Sequence, residues 1–361
     1  MPTQNFKKPM TIRGSGTSRE IVCPICNRTI SRTLPPHMRK EHLKEWDKWC
    51  TEFLELYNKG YSPKQIMDLI SVGGRPPFTW SVIANEIRRI AEQTRRVLLI
   101  PAKKVRRWSP ETFQKERTTV WQFEKRGNWA VHDAHYRGNW PPQIPRNLIL
   151  HYLKKDDMIL DPFVGGGTTL IESRSLGIDC IGLDISPHSV NFSKQKMHQM
   201  TKESSTNPQI VQLPSSEWGI IRGDARKLPL KDCSIDFICG QPPYGDAIKY
   251  TYNVQGDLSH IHQLDRFYEE MRFAATELHR VLRKGKYCTI LIGDIRRKKR
   301  IVPLGLNVMD RFLESEFALE EIIIKKQNQE RSTWNFYSNK DENELRFRIE
   351  HEYLFIFRKS H

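Results

Sequence analysis

The sequence predicts an α/β protein with a mainly parallel sheet flanked by helices, preceded by a small zinc-binding and helical region. The segments Met158–Asp161 and Asp179–Asp184 are short and apolar, and each ends in an acidic residue. A glycine turn and a helical segment lie between them, which is the order typical of parallel sheets. Two cysteines and two histidines between residues 23 and 42 predict the metal-binding part.

Length and composition favour a globular protein of two or three domains. The chain has 361 residues, 38% of them hydrophobic, with no long apolar run and no apolar N-terminal segment. Its seven cysteines are an odd number with one close pair, which is typical of a reducing compartment. We therefore expect a cytoplasmic protein without membrane contact.

The net charge of +16 is unevenly distributed. Residues 1–150 contain 27 Lys and Arg against 13 Asp and Glu, a net +14, whereas residues 151–361 contain 31 against 29, a net +2. A basic region of this kind is expected to bind a nucleic-acid backbone, because each neutralised phosphate releases counterions. A solvated basic surface without a partner is the alternative.

Residues 1–19 are polar and predict a flexible tail, and residues 20–45 predict a zinc module of the two-Cys, two-His type. A tight Cys-x-x-Cys turn is followed by two histidines about one helical turn apart. Four such ligands form a closed tetrahedral site, so the Zn²⁺ would be structural. A chance grouping of ligand-type residues is the alternative. The candidate ligands are Cys23, Cys26, His37 and His42.

Residues 46–96 predict three helices that resemble a helix-turn-helix unit for DNA recognition. Apolar residues recur at helical spacing after residue 46 and again in a basic third helix that begins after Thr79. This last helix would enter a major groove, whereas an ordinary helical hairpin with a solvated basic face is the alternative. The candidate DNA contacts are Asn85, Arg88 and Arg89.

Residues 97–118 predict a basic linker, and residues 119–361 predict a catalytic domain. Three consecutive glycines, residues 165–167, let a ligand approach backbone that any Cβ would obstruct. Asp184 ends the next strand and is placed to accept hydrogen bonds from ribose hydroxyls. The turn lacks GxGxxG spacing and the lysine of a phosphate-binding loop, which favours a cofactor without phosphates.

Two motifs of this domain resemble a known family. Asp161-Pro-Phe-Val-Gly-Gly-Gly-Thr-Thr169 resembles the S-adenosyl-L-methionine motif of DNA methyltransferases that modify exocyclic amino groups, the cytosine-N4/adenine-N6 family. Gln241-Pro-Pro-Tyr244 follows a further apolar strand and resembles the catalytic tetrapeptide of that family. The resemblance covers about residues 119–361 and implies a class I methyltransferase (Rossmann-like) fold with S-adenosylmethionine as cofactor.

The resemblance also implies a role for each matched residue. The side-chain oxygen of Gln241 and the carbonyl of Pro242 would accept hydrogen bonds from the target amine, and Pro243 would help to fix the turn. The Tyr244 ring would stack on a base flipped out of the duplex. The implied cofactor-binding residues are Asn139, Trp140, Asp161, Phe163, Gly165, Gly166, Gly167, Thr168, Thr169, Asp184, Asp224 and Ala225.

Gln241 departs from the family, in which Asp, Asn or Ser begins the tetrapeptide. Serine is typical of cytosine-N4 enzymes and Asp or Asn of adenine-N6 enzymes, so glutamine matches neither group. We favour cytosine N4 as the target. Methylation of cytosine C5 is set aside, because it requires a Cys nucleophile and Cys239 lies within an apolar strand.

The predicted function is sequence-specific methylation of double-stranded DNA by a nucleoid-associated protein. The N-terminal region is expected to recognise the DNA sequence, or loops such as residues 200–218 and 327–346 do so. The family suggests a restriction-modification system, with a cognate restriction endonuclease as a further partner. The alternatives are an RNA (tRNA) base N-methyltransferase and a DNA-binding regulator whose catalytic pocket is degenerate because of Gln241.

Overall fold

The computed structural model divides the chain into two compact units, Met1–Ala102 and Lys103–His361. No helix in the described part of the chain is long and apolar enough to cross a membrane. The described residues are 12–13, 20–22, 25–26, 28–30, 34–59, 61, 65–67, 80–94, 105–132, 136, 138–206, 213–252, 254–327 and 347–360.

The first unit contains a small antiparallel sheet and a cluster of helices. Its elements are β1 (Ile12–Arg13), β2 (Glu20–Val22), β3 (Thr29–Ile30), α1 (Leu34–Glu41), α2 (Leu43–Asn58) and α3 (Trp80–Thr94). Both α2 and α3 begin where the sequence predicts helices, and their apolar sides bury one cluster that includes Trp46, Phe53 and Ile87. The prediction of a flexible tail does not hold for β1, because Ile12 pairs with Ile21 of β2.

The second unit is built on an eight-stranded sheet in the order β4-β12-β13-β9-β8-β5-β6-β7. Within it, β13 runs antiparallel to both of its neighbours and the other pairings are parallel. The mainly parallel α/β sheet that the sequence predicts is therefore confirmed. The strands are β4 (Val120–Trp121), β5 (Met158–Asp161), β6 (Asp179–Asp184), β7 (Trp218–Arg222), β8 (Ile235–Gly240), β9 (Leu282–Ile292), β12 (Phe317–Lys326) and β13 (His351–Lys359).

Helices cover both faces of this sheet, and each face has its own apolar core. Residues of α4, α5 and α6 pack on one face, and residues of α7 and α8 pack on the other. The central strand β8 is buried along its whole length, as expected for a parallel strand covered on both sides. The remaining elements are α4 (Gln143–Tyr152), α5 (Thr168–Ser175), α6 (Pro187–Thr206), α7 (Leu264–Val281), the hairpin strands β10 (Ile295–Arg297) and β11 (Arg300–Val302), and α8 (Leu304–Leu313).

The predicted linker is only partly a linker. Residues 103–118 belong to the second unit, where Val105 and Trp108 pack against the core. The Asn147 side chain accepts a hydrogen bond from the Glu116 backbone N–H at 2.8 Å. These apolar and polar contacts hold a segment that the sequence predicts to be a basic linker.

Candidate functional site

The sheet reverses its strand order between β5 and β8, and the candidate site lies at the carboxyl ends of these strands. Along the sheet, β5, β6 and β7 extend towards one edge, whereas β8 and β9 extend towards the other. Because β5 and β8 pair in parallel, with Leu160 opposite Ile238, the segments that follow them emerge side by side. Such a reversal forms the usual ligand crevice of open α/β sheets.

The glycine turn after β5 has the conformation that its residues predict. Gly165 and Gly167 have φ of +46° and +78°, where other residues are strained. A Cβ on Gly166 would lie only 2.9 Å from the side-chain nitrogen of Asn139. Glycine is therefore required at the first and third positions for conformation and at the second for space.

The acids that end β5 and β6 both stabilise this turn. The Thr169 hydroxyl donates to the Asp161 carboxylate at 2.5 Å. The backbone N–H groups of Gly165 and Ser186 donate to the two oxygens of Asp184, each at 2.9 Å. Burial raises the pKa of Asp161 to about 7 and the pKa of Asp184 to about 6.

The crevice is a pocket of about 760 Å³, a volume that includes the space at its mouth. None of its described lining residues is Lys or Arg, and Arg226, outside the lining, pairs with only one of the lining acids, Asp224, so the lining acids favour cations over phosphates. S-adenosylmethionine, which carries a sulfonium and an ammonium, fits this chemistry better than a dinucleotide does. The acidic lining residues are Asp161, Asp184, Asp224 and Asp257.

Most predicted cofactor residues line this pocket, and the others support it from behind. Thr168 donates its hydroxyl hydrogen to the Asn139 side chain at 2.7 Å, and Gly167 packs against Ser193. The predicted residues that line the pocket are Asn139, Trp140, Asp161, Phe163, Gly165, Asp184, Asp224 and Ala225. The predicted residues outside the lining are Gly166, Gly167, Thr168 and Thr169.

The sequence did not assign a second wall of the pocket to cofactor binding, and this wall contains Tyr136 and several residues between 250 and 258. The Tyr136 and Tyr250 rings stack with centroids 6.3 Å apart. The buried Asp257 carboxylate accepts hydrogen bonds from the Thr251 hydroxyl at 2.6 Å and the Ser259 backbone N–H at 2.8 Å. An Asp two residues before a Ser is a turn signal that could have marked this segment.

The tetrapeptide after β8 adjoins the pocket and is held by a buried ion pair. Gln241 and Pro243 line the pocket, and Gln241 Nε2 lies 3.4 Å from the Tyr244 hydroxyl. That hydroxyl donates to Glu352 at 2.6 Å, and Lys325 donates to the other Glu352 oxygen at 2.7 Å. Burial and the adjacent carboxylate raise the pKa of Tyr244, so the phenol stays protonated.

A second buried ionic cluster holds the segment before α4 against α5. The fully buried Glu172 carboxylate accepts hydrogen bonds from Trp129 Nε1 at 2.6 Å and Arg146 Nη1 at 2.8 Å, and lies 2.5 Å from His132 Nε2. Burial alone would raise the pKa of Glu172, but His132 and Arg146 lower it. This cluster anchors the chain that leads to Asn139 at the pocket.

In the first unit, three of the four predicted zinc ligands lie together. Sγ of Cys26 is 3.3 Å from Nε2 of His37, and one ligand atom each of Cys26, His37 and His42 lie within 4.8 Å of one another. His42 Nε2 is buried and has no hydrogen-bond partner among the described residues. Cys23, the fourth predicted ligand, lies outside the described residues.

The predicted DNA contacts on α3 are only partly described. Arg89 is 4% exposed, donates to Glu86 at 2.8 Å and forms an ion pair with Asp47 of α2. Arg89 is therefore a structural residue that joins the two helices, rather than the predicted DNA contact. The structure describes the helical backbone at Asn85 and Arg88 but not their side chains.

The fold and the pocket together define a class I S-adenosylmethionine-dependent methyltransferase domain. Residues 51–195 match the family model described as DNA methylase, and residues 148–301 match the RMKL-like methyltransferase domain. The first match confirms the predicted resemblance to the cytosine-N4/adenine-N6 DNA methyltransferases.

Individual relatives match shorter segments. The type II methyltransferase M.MjaII of Methanocaldococcus jannaschii is 36% identical over 77 residues, which are 21% of this chain and 14% of that protein. The tRNA (guanine(10)-N2)-dimethyltransferase of Methanothermobacter thermautotrophicus is 35% identical over 111 residues, 30% of this chain and 29% of that protein. The chain thus spans less than a third of the length of each of these relatives.

Among solved structures, a SAM-dependent methyltransferase of Methanosarcina mazei superposes with a TM-score of 0.40. It is 15% identical, and the superposition covers 59% of this chain and 97% of that one.

Proposed function

We propose that this protein methylates the exocyclic amino group of a base flipped out of duplex DNA, with cytosine N4 favoured over adenine N6. The observation that carries the proposal is that Gln241 and Pro243 of the tetrapeptide line the acidic pocket, beside the glycine turn. This adjacency would bring a planar amine to a methyl donor bound in the pocket. The match to the DNA methylase family supports DNA as the substrate.

S-adenosylmethionine supplies a methyl carbon activated by its positively charged sulfur. When bound, it would supply this methyl group to the amino nitrogen, which would lose one proton to water. The Gln241 amide oxygen and the Pro242 carbonyl would accept the two amino hydrogens and keep the lone pair on nitrogen. The contact between Gln241 Nε2 and the Tyr244 hydroxyl supports this orientation of the amide.

A tRNA base is the second candidate substrate. The similarity to two tRNA (guanine(10)-N2)-dimethyltransferases supports it, since the target there is also an exocyclic amine. A DNA-binding regulator without catalytic activity is the third candidate, supported by the unusual Gln241.

Competition between substrates tests these candidates. The full-length protein is given labelled S-adenosylmethionine with duplex DNA and tRNA together, and the methylated nucleosides are identified by mass spectrometry. We expect N4-methylcytosine in the DNA fraction, while N6-methyladenine there would correct only the target base. Label in tRNA alone would contradict the DNA proposal, and demonstrable cofactor and DNA binding without product would favour the regulator.

We also propose that the first unit reads the DNA sequence and is folded around a structural zinc ion. Cys26, His37 and His42 could hold this ion, because thiolate and imidazole are the ligands that zinc prefers. Single-molecule sequencing of DNA from cells that express the protein would report the recognition sequence. A restriction endonuclease that cleaves the same sequence would establish a restriction-modification pair.

A further inference from the structure

The β10–β11 hairpin of the second unit carries an uninterrupted run of five cations, residues 296–300, with the sequence Arg-Arg-Lys-Lys-Arg. Lys298, Lys299 and Arg300 are exposed. Within the part of the chain that the structure describes, none of these three side chains forms an ion pair or a hydrogen bond. Their charge is therefore available to a ligand.

This hairpin is fixed to the catalytic loop. Gly293, just before β10, lies against the tyrosine of the tetrapeptide, since a Cβ there would be 3.2 Å from Cε2 of Tyr244. Arg297 forms an ion pair with Asp246, two residues after that tyrosine, and donates to the His262 carbonyl at 2.7 Å. The hairpin tip is five residues from Gly293, which is at most about 17 Å of extended chain.

The sequence of the tip is unfavourable for the hairpin itself. Lys298 and Lys299 form a two-residue turn with φ of +47° and +67°, a conformation for which Asn-Gly is preferred. Local conflicts of this kind concentrate at functional positions and are offset by interactions elsewhere in the structure.

We propose that the tip of this hairpin, Lys298, Lys299 and Arg300, binds phosphates of the duplex close to the flipped base. A flipped nucleotide remains covalently joined to its flanking phosphates, so these must lie at the rim of the pocket. A reach of about 17 Å corresponds to roughly five nucleotides of one strand. These contacts position the duplex and carry no sequence information. This inference rests on the proposed function.

The test is the salt dependence of duplex DNA binding by the full-length protein. The variant Lys298→Asn/Lys299→Gly removes two cations and places the preferred residues in the turn, so unfolding cannot explain a loss of affinity. We expect the slope of log affinity against log salt to become shallower by about 1.8. Between 50 and 200 mM salt the affinity of the variant should therefore fall about 12-fold less than that of the wild type.

The matched control is Lys154→Ala/Lys155→Ala, which removes two exposed lysines from the loop before β5, at the opposite ends of the strands. This control should bind DNA like the wild type. A hairpin variant with the wild-type slope, or a control variant with the same change in slope, would overturn the inference while leaving the proposed function intact. A wild-type protein that binds tRNA but not duplex DNA would instead overturn the proposed function.

Discussion

The ring and the hydroxyl of Tyr244 are expected to serve different purposes, and two substitutions separate them. Tyr244→Ala removes the stacking surface, which contributes about 1–3 kcal/mol per base, so we expect kcat/KM to fall roughly 5- to 150-fold. Tyr244→Phe keeps the ring and should retain most activity. It leaves the buried Glu352 oxygen without its donor, at a cost of about 1–3 kcal/mol in the free energy of unfolding.

Methylation kinetics and chemical denaturation of both variants check this prediction. Cofactor affinity serves as the control, because Tyr244 is not among the residues that line the pocket. Equal loss of activity in the two variants would show that the hydroxyl, and not the ring, carries the function.

Asp184 should make cofactor binding depend on pH. Burial is the main reason that its pKa is raised to about 6, so the carboxylate that would accept the ribose hydroxyls is protonated as pH falls through 6. We expect the Kd for the cofactor to rise as the pH falls from 7 to 5. The part of this rise that Asp184 causes should be absent in Asp184→Asn. Calorimetry at a series of pH values measures the difference. Asp161 titrates in the same pocket in both proteins, so a pH dependence identical in wild type and variant would assign the effect to Asp161 instead.

At the scale of elements, the sequence is informative where the signal is local. An apolar strand, a terminal acid and a glycine turn are contiguous, so β5, β6 and most of the cofactor wall could be predicted. The same holds for the tetrapeptide after β8. Long-range contacts left no such signal. Lys325 pairs with Glu352, the acceptor of the Tyr244 hydroxyl, only because β12 and β13 pair in the folded sheet. Arg89 shows that a local signal can also mislead. Its place on a basic helix suggested a DNA contact, but its side chain forms a structural ion pair with Asp47.

The zinc module gives a prediction for a single element. Because metal binding and folding are coupled in such modules, Cys26→Ser should reduce the bound zinc and destabilise the first unit while the second unit keeps its cofactor affinity. Elemental analysis of the purified protein and limited proteolysis measure the two effects. Cys233→Ser, which changes an exposed cysteine of the second unit, is the matched control. A wild-type protein without bound zinc would contradict the prediction.

At the scale of the whole molecule, dividing the chain at the boundary between the units gives a different charge distribution from dividing it at residue 150. Residues 1–102 contain 17 Lys and Arg against 9 Asp and Glu, and residues 103–361 contain 41 against 33, so each unit has a net charge of +8. The apparent concentration of charge in residues 1–150 arose because the basic segment 103–150 belongs to the second unit. Both units can therefore attract a nucleic-acid backbone.

This distribution predicts what the second unit would do alone. Its apolar cores are formed by its own residues, so a fragment of residues 103–361 should fold and bind S-adenosylmethionine like the full chain. Its net charge of +8 should maintain salt-dependent binding to any duplex. Without the first unit, however, we expect methylation to lose its sequence preference, because backbone contacts carry no sequence information. Single-molecule sequencing of plasmid DNA methylated by the fragment and by the full chain would compare the sites. If the fragment methylates the same sites with the same preference, sequence reading belongs to the second unit, and the first unit has another role.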